Sequence, residues 1–312
     1  MDLKQLEYIV AIADYGNISR ASQGLFITQS GLNQHLIKLE QELGIQLFYR
    51  DNHHLQMTAA GKVYVENARE ILKIKKNTYN ILSDMKNNEI GEITLGLTLE
   101  HGIDLFTAVF PKFNKRYPGI NFHLQERYVA DQHNMILAGK LDFGMVMLGE
   151  NDKVNLEYVP LYEEELILGV PKKHFYAESG GELKPYMPFI DLKLFKEDTF
   201  ALMFPGSTMR KIIDPAFEAA GFEPNILIET GMNHAMVKLA ALGLCCTILP
   251  HSRAIHSPER DELSWFRLSP PISWTTYMAY RKNTRLTEAF RYFLELSKEY
   301  GKRLEEKMRQ EK

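Results

Sequence analysis

The sequence predicts an α+β protein built in three consecutive parts. A head of short helices holds a helix-turn-helix and a small hairpin, a long helix follows, and the last two thirds alternate strands with helices. Three observations carry this prediction. Apolar residues recur at three- and four-residue steps from Leu3 to Leu43 and are broken by turn residues. A similar pattern runs without proline from Thr58 to about Asn87. Beyond Ile93, short apolar runs are separated by helix-length segments. The 312 residues, 45% hydrophobic and 25% charged, suit about two domains with a sizeable core. No run of 18 apolar residues occurs, which argues against a membrane span. The start lacks the basic-then-apolar layout of a secretory signal. Cys245 and Cys246 are adjacent and cannot staple a fold, so a reducing cytoplasm is expected. With a net charge of −3, any nucleic-acid binding must come from a local surface.

In the head, Leu3, Leu6, Ile9, Val10 and Ala13 share a helical face, and Gly16 sits where that helix stops. Ser19 can cap a second helix that turns Ala21 and Leu25 inward. Phe26-Ile27-Thr28 makes a break. A third helix buries Leu32, Leu36, Leu39 and Leu43 and stops at Gly44. Two short helices with so tight a turn form a helix-turn-helix. The opposite face of the third helix carries Gln29, Ser30, Asn33, Gln34 and Lys38. Amides can bond an adenine edge bidentately, and hydroxyls or first-turn backbone amides can hold phosphates. A solvated face has the same composition, so the helix alone leaves both readings open. Ile45, Leu47, Leu55 and Met57 alternate around Asp51-Asn52, which reads as a hairpin. Arg50, His53 and His54 lie at its tip, where a wing can meet phosphates. Thr58 then caps the long helix.

These stretches together resemble one known family. Asn17-Ile18-Ser19-Arg20-Ala21-Ser22, Thr28-Gln29-Ser30-Gly31-Leu32-Asn33, Lys38-Leu39-Glu40, Glu42 through Arg50 and Thr58-Ala59-Ala60-Gly61 occur in order. Residues 1–61 resemble the winged helix-turn-helix of the LysR-type transcriptional regulators. The resemblance implies a sequence-specific DNA-binding regulator of transcription. It places Thr28, Gln29, Ser30, Asn33 and Gln34 on DNA and Arg50 on the backbone near the wing, with Lys38 and His53 as further contacts. The chain departs from the family at Gly31, commonly alanine, Asn33, commonly serine, and Gln34, often arginine. An interior glycine costs a helix about 1 kcal/mol relative to alanine. Residues 1–62 hold five bases and six acids, so one head attracts phosphates weakly. Useful affinity then depends on joining several heads.

In the linker, 58–88, Val65, Ala68, Leu72, Tyr79 and Leu82 follow alternating steps of three and four, with Lys75 as the polar exception. Ile71, Ile74, Ile81 and Met85 widen the stripe. So long a pattern suits a two-helix seam, although a helix packed on its own domain remains the alternative. A symmetric dimer would offer two reading heads to two half-sites of a near-palindrome.

Asn87-Asn88-Glu89-Ile90-Gly91 reads as a hinge. Strands follow at Ile93–Leu97, Ile120–Leu124 and Phe143–Met147, with helices through Phe106–Phe113 and up to Met135–Gly139. A second set runs through Leu166–Val170, Phe200–Met203, Ile226–Ile228 and Cys246–Pro250. The chain returns to the first set through Thr276–Tyr280 and a helix over 286–300. Such alternation implies a doubly wound α/β sheet. The region resembles the family's effector-binding domain over 91–300, similar to periplasmic binding proteins. That implies one lobe from 91–164 and 266–300, a second from 165–265, and a cleft between them. Residues 174–198 are longer than the family norm, with no function assigned, and the charged tail 301–312 reads as a solvated helix extension.

Ligands of open α/β sheets sit at the carboxyl ends of strands, beside helix N-termini. The resemblance implies a small-molecule effector lined by Thr98, Leu99, Glu100, Val129, Ser207, Thr208, Asn233 and Thr247. Thr98 and Ser207 could equally be plain helix caps. Glu100 would oppose an anion, whereas Arg127 would favour one if it points inward; alternatively the two pair with each other. A carboxylate effector and an amine-bearing one both remain open.

The ten histidines are scattered, and no paired Cys/His motif of a zinc site occurs. Neither GxGxxG, a phosphate loop nor GxSxG is found, and nothing nominates a nucleophile with its base. Cys245 and Cys246, in an apolar strand, read as inert thiols. No enzyme activity, metal or cofactor is therefore expected. The implied partners are double-stranded DNA, the effector, RNA polymerase and other copies of the chain, as a dimer and as a tetramer built from two dimers, with no membrane. A small-molecule binding protein or enzyme on the same scaffold is the reading from another class, and the amides of Gln29, Asn33 and Gln34 argue against it.

Overall fold

The computed structural model describes residues 2–50, 55–85, 91–149, 152–183 and 187–310. They form two compact units that divide near residue 88. The hinge expected at 87–91 lies outside the described residues except for Gly91.

In the N-terminal unit, α1 (Leu3–Tyr15) starts on Asp2, whose carboxylate accepts from the Lys4 amide at 2.6 Å, and ends at Gly16, φ +59°. The second helix, α2 (Ile18–Gly24), is capped by Asn17, whose Oδ1 accepts from the Arg20 amide at 3.1 Å. This corrects the expectation for Ser19. The extended backbone is at Asn17, so Ser19 already lies inside the first turn. Thr28 caps α3 (Gln29–Leu43) by accepting from the Gly31 amide at 3.2 Å, and Gly44 ends it at φ +68°. Leu32, Leu36 and Leu39 pack with Ile9, Ile12 and Ala21. Leu43, expected in the same stripe, is exposed. The wing pairs β1 (Phe48–Arg50) antiparallel with β2 (Leu55–Met57), Phe48 opposite Met57. The expected strand residue Ile45 instead lies exposed before β1. Glu40 accepts from the Leu47 amide at 2.8 Å and the Phe48 amide at 3.2 Å, tying α3 to the wing. The tip, with His53 and His54, and the Arg50 side chain lie outside the described residues.

Phe26, in the turn between α2 and α3, has φ +55° and is 95% exposed. A left-handed backbone costs an ordinary L-residue roughly 1–2 kcal/mol, and this ring recovers little of it by packing. Phe26→Asn should therefore raise stability in urea unfolding by about 1 kcal/mol, because Asn tolerates this conformation. A loss of stability would mean that the ring makes contacts the strain argument omits.

The long helix α4 (Ala59–Met85) begins where Thr58 Oγ1 accepts from the Gly61 amide at 2.9 Å. Its first half packs on the head. Val65 and Ala68 are buried, Arg69 meets Asp14 at 2.5 Å and Lys75 meets Glu7 at 2.9 Å. The polar exception in the stripe thus faces α1. Further along, Ile74, Tyr79 and Leu82 are exposed.

The C-terminal unit begins with β3 (Gly91–Leu97), α5 (His101–Arg116), β4 (Ile120–Glu126), α6 (Val129–Leu137) and β5 (Phe143–Leu148). It continues through β6 (Glu157–Pro171), β7 (Phe189–Ile190), β8 (Thr199–Met203), α7 (Thr208–Ala220), β9 (Asn225–Thr230), α8 (Asn233–Ala241) and β10 (Cys246–Pro250). It closes with α9 (His251–His256), β11 (Leu263–Leu268), β12 (Ser273–Tyr280) and α10 (Glu288–Gln310). The strands follow the order β4-β3-β5-β12-β6-β10-β8-β9, with β11 and β7 beyond β6. Parallel pairing joins β3 to β4 and β5, and β8 to β9 and β10. The doubly wound expectation needs one amendment: β6 and β12 run antiparallel and connect the two parallel sets. Residues Glu157–Glu165 of β6 pair with β12, whereas Leu166 onward pairs with β10. That change of partner divides two lobes.

Within 174–198, Ala177, Ile190, Leu192 and Phe195 are buried; Pro185 lies outside the described residues. The tail is a helix extension, since α10 continues to Gln310; Lys302, Arg303, Glu306, Lys307 and Arg309 are exposed, but Leu304 and Met308 are buried against the domain. A Cβ on Gly301 would stand 2.4 Å from the Leu161 carbonyl, so only glycine lets α10 approach β6 this closely.

Candidate nucleic-acid interface and ligand cleft

The leucine face of α3 is anchored in the head, which leaves its other side outward. Thr28, Gln29, Ser30, Gln34 and Lys38 are exposed and Asn33 is half-buried. Among the described residues, no hydrogen bond ties up the amides of Gln29, Asn33 or Gln34. Thr28 Oγ1 already accepts from the Gly31 amide, so it caps the helix as well as facing outward. The Gln29 and Ser30 amides of the first turn have no partners inside the helix and can receive a phosphate. Chemically, this face presents five donor–acceptor groups and one cation, which suits base-edge reading more than bulk charge attraction.

In the C-terminal unit, a cavity of about 300 Å³ opens between the lobes. Thr98 and Leu99 come from the end of β3, Val129 and Ala130 from the start of α6, Ser207 and Thr208 from α7 and Asn233 from α8. Met147 and Trp274 also line it. Strands ending and helices starting at one place is what parallel β–α units produce. Ser207 caps α7 by accepting from the Arg210 amide at 3.2 Å. Thr98 caps no helix; its hydroxyl donates to Met147 Sδ at 3.6 Å. The ring of Tyr128 packs on Phe204 across the gap, centroids 4.6 Å apart. His133 meets the Tyr158 hydroxyl at 3.2 Å. Burial lowers its pKa and nearby Asp152 opposes that shift. Lys211 stands exposed on the lining.

Two expectations, for Thr247 and Glu100, are corrected, and the alternatives left open for Arg127 are narrowed. Thr247 is fully buried in β10 and donates to the Ala201 carbonyl at 3.0 Å, so it does not reach the cavity. All five residues of β10 are buried, and none of them lines the cavity. Glu100 turns away from the cavity into an adjacent opening lined by Asp104, Arg253 and His256. Arg127 donates to the Glu126 carbonyl at 2.7 Å and pairs with neither Glu100 nor the cavity.

Beneath the cleft, the buried carboxylate of Glu164 accepts from the Ser252 amide and the Trp274 indole, each at 3.0 Å. His101 Nε2 lies 3.5 Å from it. Burial alone would raise the Glu164 pKa, but His101, Ser252 and Trp274 outweigh it and hold the carboxyl at about 2. His101 and Trp274 also line the cleft. Sequence reasoning missed all three. A run of three glutamates reads locally as a solvated face, and no local signal marks its middle member.

His174, Asp198 and Cys246 bring potential ligand atoms within 4.8 Å of one another. The His174 ring is engaged at both nitrogens, by Asp198 at 2.9 Å and by the Tyr176 amide at 3.2 Å. Burial pushes the Cys246 and Cys245 thiols up, so both are poor nucleophiles.

Residues 3–62 match the family described as "Bacterial regulatory helix-turn-helix protein, lysR family". Residues 86–302 match "LysR substrate binding domain". The chain belongs to the LysR family. It is a LysR-type DNA-binding transcriptional regulator with an effector-binding domain. A probable RuBisCO transcriptional regulator of Trieres chinensis is 30% identical over 251 residues, 78% of either chain. The regulator shares its fold with full-length OxyR of Pseudomonas aeruginosa, at TM-score 0.72 and 20% identity over 96% of this chain and 98% of that one. CbnR complexed with its target DNA aligns at TM-score 0.59 and 22% identity, over 97% and 100%. The effector-binding domain of QuiR in complex with shikimate aligns at 0.54 and 22%, over 69% and 98%. No helix among the described residues is long and apolar enough to cross a membrane.

Proposed function

We propose that the regulator reads its operator through Gln29, Ser30, Asn33 and Gln34, with Thr28, Lys38, Arg50 and His53 toward the phosphates. A dimer formed along the exposed half of α4, through Ile74, Tyr79 and Leu82, presents two such faces to paired half-sites. Higher assembly as a tetramer of two dimers, contact with RNA polymerase and residence in the cytoplasm belong to the same reading. The effector enters the cavity beside Thr98, Leu99, Val129, Ser207 and Thr208 with one acid group and an apolar body. The observation that carries this is the meeting of the α6 and α7 N-termini at a cavity floored by Met147 and Trp274. Glu100, the charge that would have opposed an acid, is turned elsewhere. By binding one arrangement of the lobes more tightly, the effector shifts the separation of the reading heads.

Small monocarboxylates, screened by thermal shift on the full chain, should include compounds that raise its midpoint with concentration. If only amines or sugars do so, the acid reading fails. Thr98→Val removes a cleft hydroxyl without adding volume. It should weaken the best such acid about tenfold in calorimetry and leave operator binding intact. Unchanged affinity would remove Thr98 from the site.

A further inference from the structure

A third helix starts at this cleft, and its anion position is already filled. Glu100 belongs to the first lobe, at the junction of β3 and α5. Its Oε2 accepts from Asn233 Nδ2 at 2.7 Å, and its Oε1 faces the His234 amide at 3.4 Å. Both partners lie in the first turn of α8, in the second lobe, and the residue preceding that helix, Met232, offers no side-chain cap. The backbone of Glu100 is held at φ +65°, ψ −72°, with the His101 amide bonded to the Leu99 carbonyl at 2.9 Å. L side chains rarely adopt this conformation, and they persist in it when surrounding contacts enforce it. Close by, Arg253 of α9 donates to Asp104 of α5, a second pair across the same gap.

We infer that Glu100 is a specificity-determining residue: by capping α8 from the opposite lobe it supplies one anion itself, and the cleft therefore takes ligands with one acid group rather than two. A second ligand carboxylate aimed at α8 would meet a like charge at a helix start where the Asn233 side chain and the His234 amide already face Glu100. Only the starts of α6 and α7 remain for the ligand. The selectivity rests on the cleft being the effector site, but the contact does not, so the two can fail separately.

Hydrogen exchange on the full chain tests the contact. In Glu100→Ala, the His234 amide and the first turn of α8 should exchange about tenfold faster, while β3 and β10 keep their parental rates. Glu100→Gln, which preserves size, should show the same local change more weakly. Parental exchange at α8 in both variants overturns the inference. Sodium sulfate, compared with sodium chloride at equal ionic strength, serves as the anion probe. It should raise the thermal midpoint of Glu100→Ala more than that of the parent, because the vacated helix start accepts it. An equal response in the two proteins means that Glu100 fills no anion position and also overturns the inference.

Discussion

Glu164→Gln should cost the C-terminal unit about 3 kcal/mol at pH 7, the largest stability effect expected of any single change in the cleft region. Both carboxylate oxygens accept hydrogen bonds, one from Ser252 and one from Trp274. Glutamine has one acceptor oxygen, so in either orientation its NH2 group faces a buried donor. The pH dependence follows from the depressed pKa, about 2 against an ordinary 4.5. The contribution is complete above pH 4.5 and disappears as the pH falls towards 2, because the unfolded chain then binds the proton first. The parent should therefore lose stability across that window, and the variant should show none of this component. Both tryptophans, Trp265 and Trp274, lie in the C-terminal unit, so fluorescence-detected urea unfolding reports on that unit. A loss below about 1 kcal/mol at pH 7 would show that the carboxylate is not held ionised. Since Trp274 and His101 also line the cleft, the variant's effector affinity should fall with its stability.

Gln29→Ala should weaken binding to the preferred operator by roughly ten- to hundredfold while leaving binding to unrelated DNA unchanged. The loss is specific because a glutamine amide reads base edges and carries no charge. The slope of log affinity against log salt should therefore match the parent's. Lys38→Ala should do the opposite, weakening all sequences alike and reducing that slope by about one. Footprinting on the DNA flanking the gene identifies the operator, and gel shift over a salt series then separates the two effects. If Gln29→Ala reduces affinity equally for operator and unrelated DNA, the outward face of α3 does not read bases.

The head was largely legible because its determinants are local. The stripe Leu32, Leu36, Leu39, the cap at Thr28 and the stop at Gly44 each depend on residues within one or two helical turns. Where the local signal had two candidates it misled. Asn17 and Ser19 are both good caps, and only the backbone at Asn17 decides between them. Leu43 fits the stripe by spacing but lies in the last turn of α3, out in solvent. Strands β3, β4, β5, β8, β9 and β10 announced themselves as apolar runs. Most of β6 did not: its part from Glu157 to Glu165 is interrupted by four glutamates, and its partner β12 is contributed much later in the chain.

What the residue order determined by itself is therefore the list of helices and most strands, the outward amides of α3 and the helix starts that line the cleft. Periodicity, capping and turn chemistry act over a few residues, and a reader of the chain sees all of them. The tertiary structure alone decided which side chains meet at the cleft. Trp274 joins Thr98 and His101 only because β12, contributed much later in the chain, returns beside β5. Thr247 is withheld from the cleft because its hydroxyl is buried against the Ala201 carbonyl of the neighbouring strand. Glu100 serves α8 because another lobe lies across from it. Burial, direction and partner choice are properties of packing between distant segments, and no local pattern encodes them.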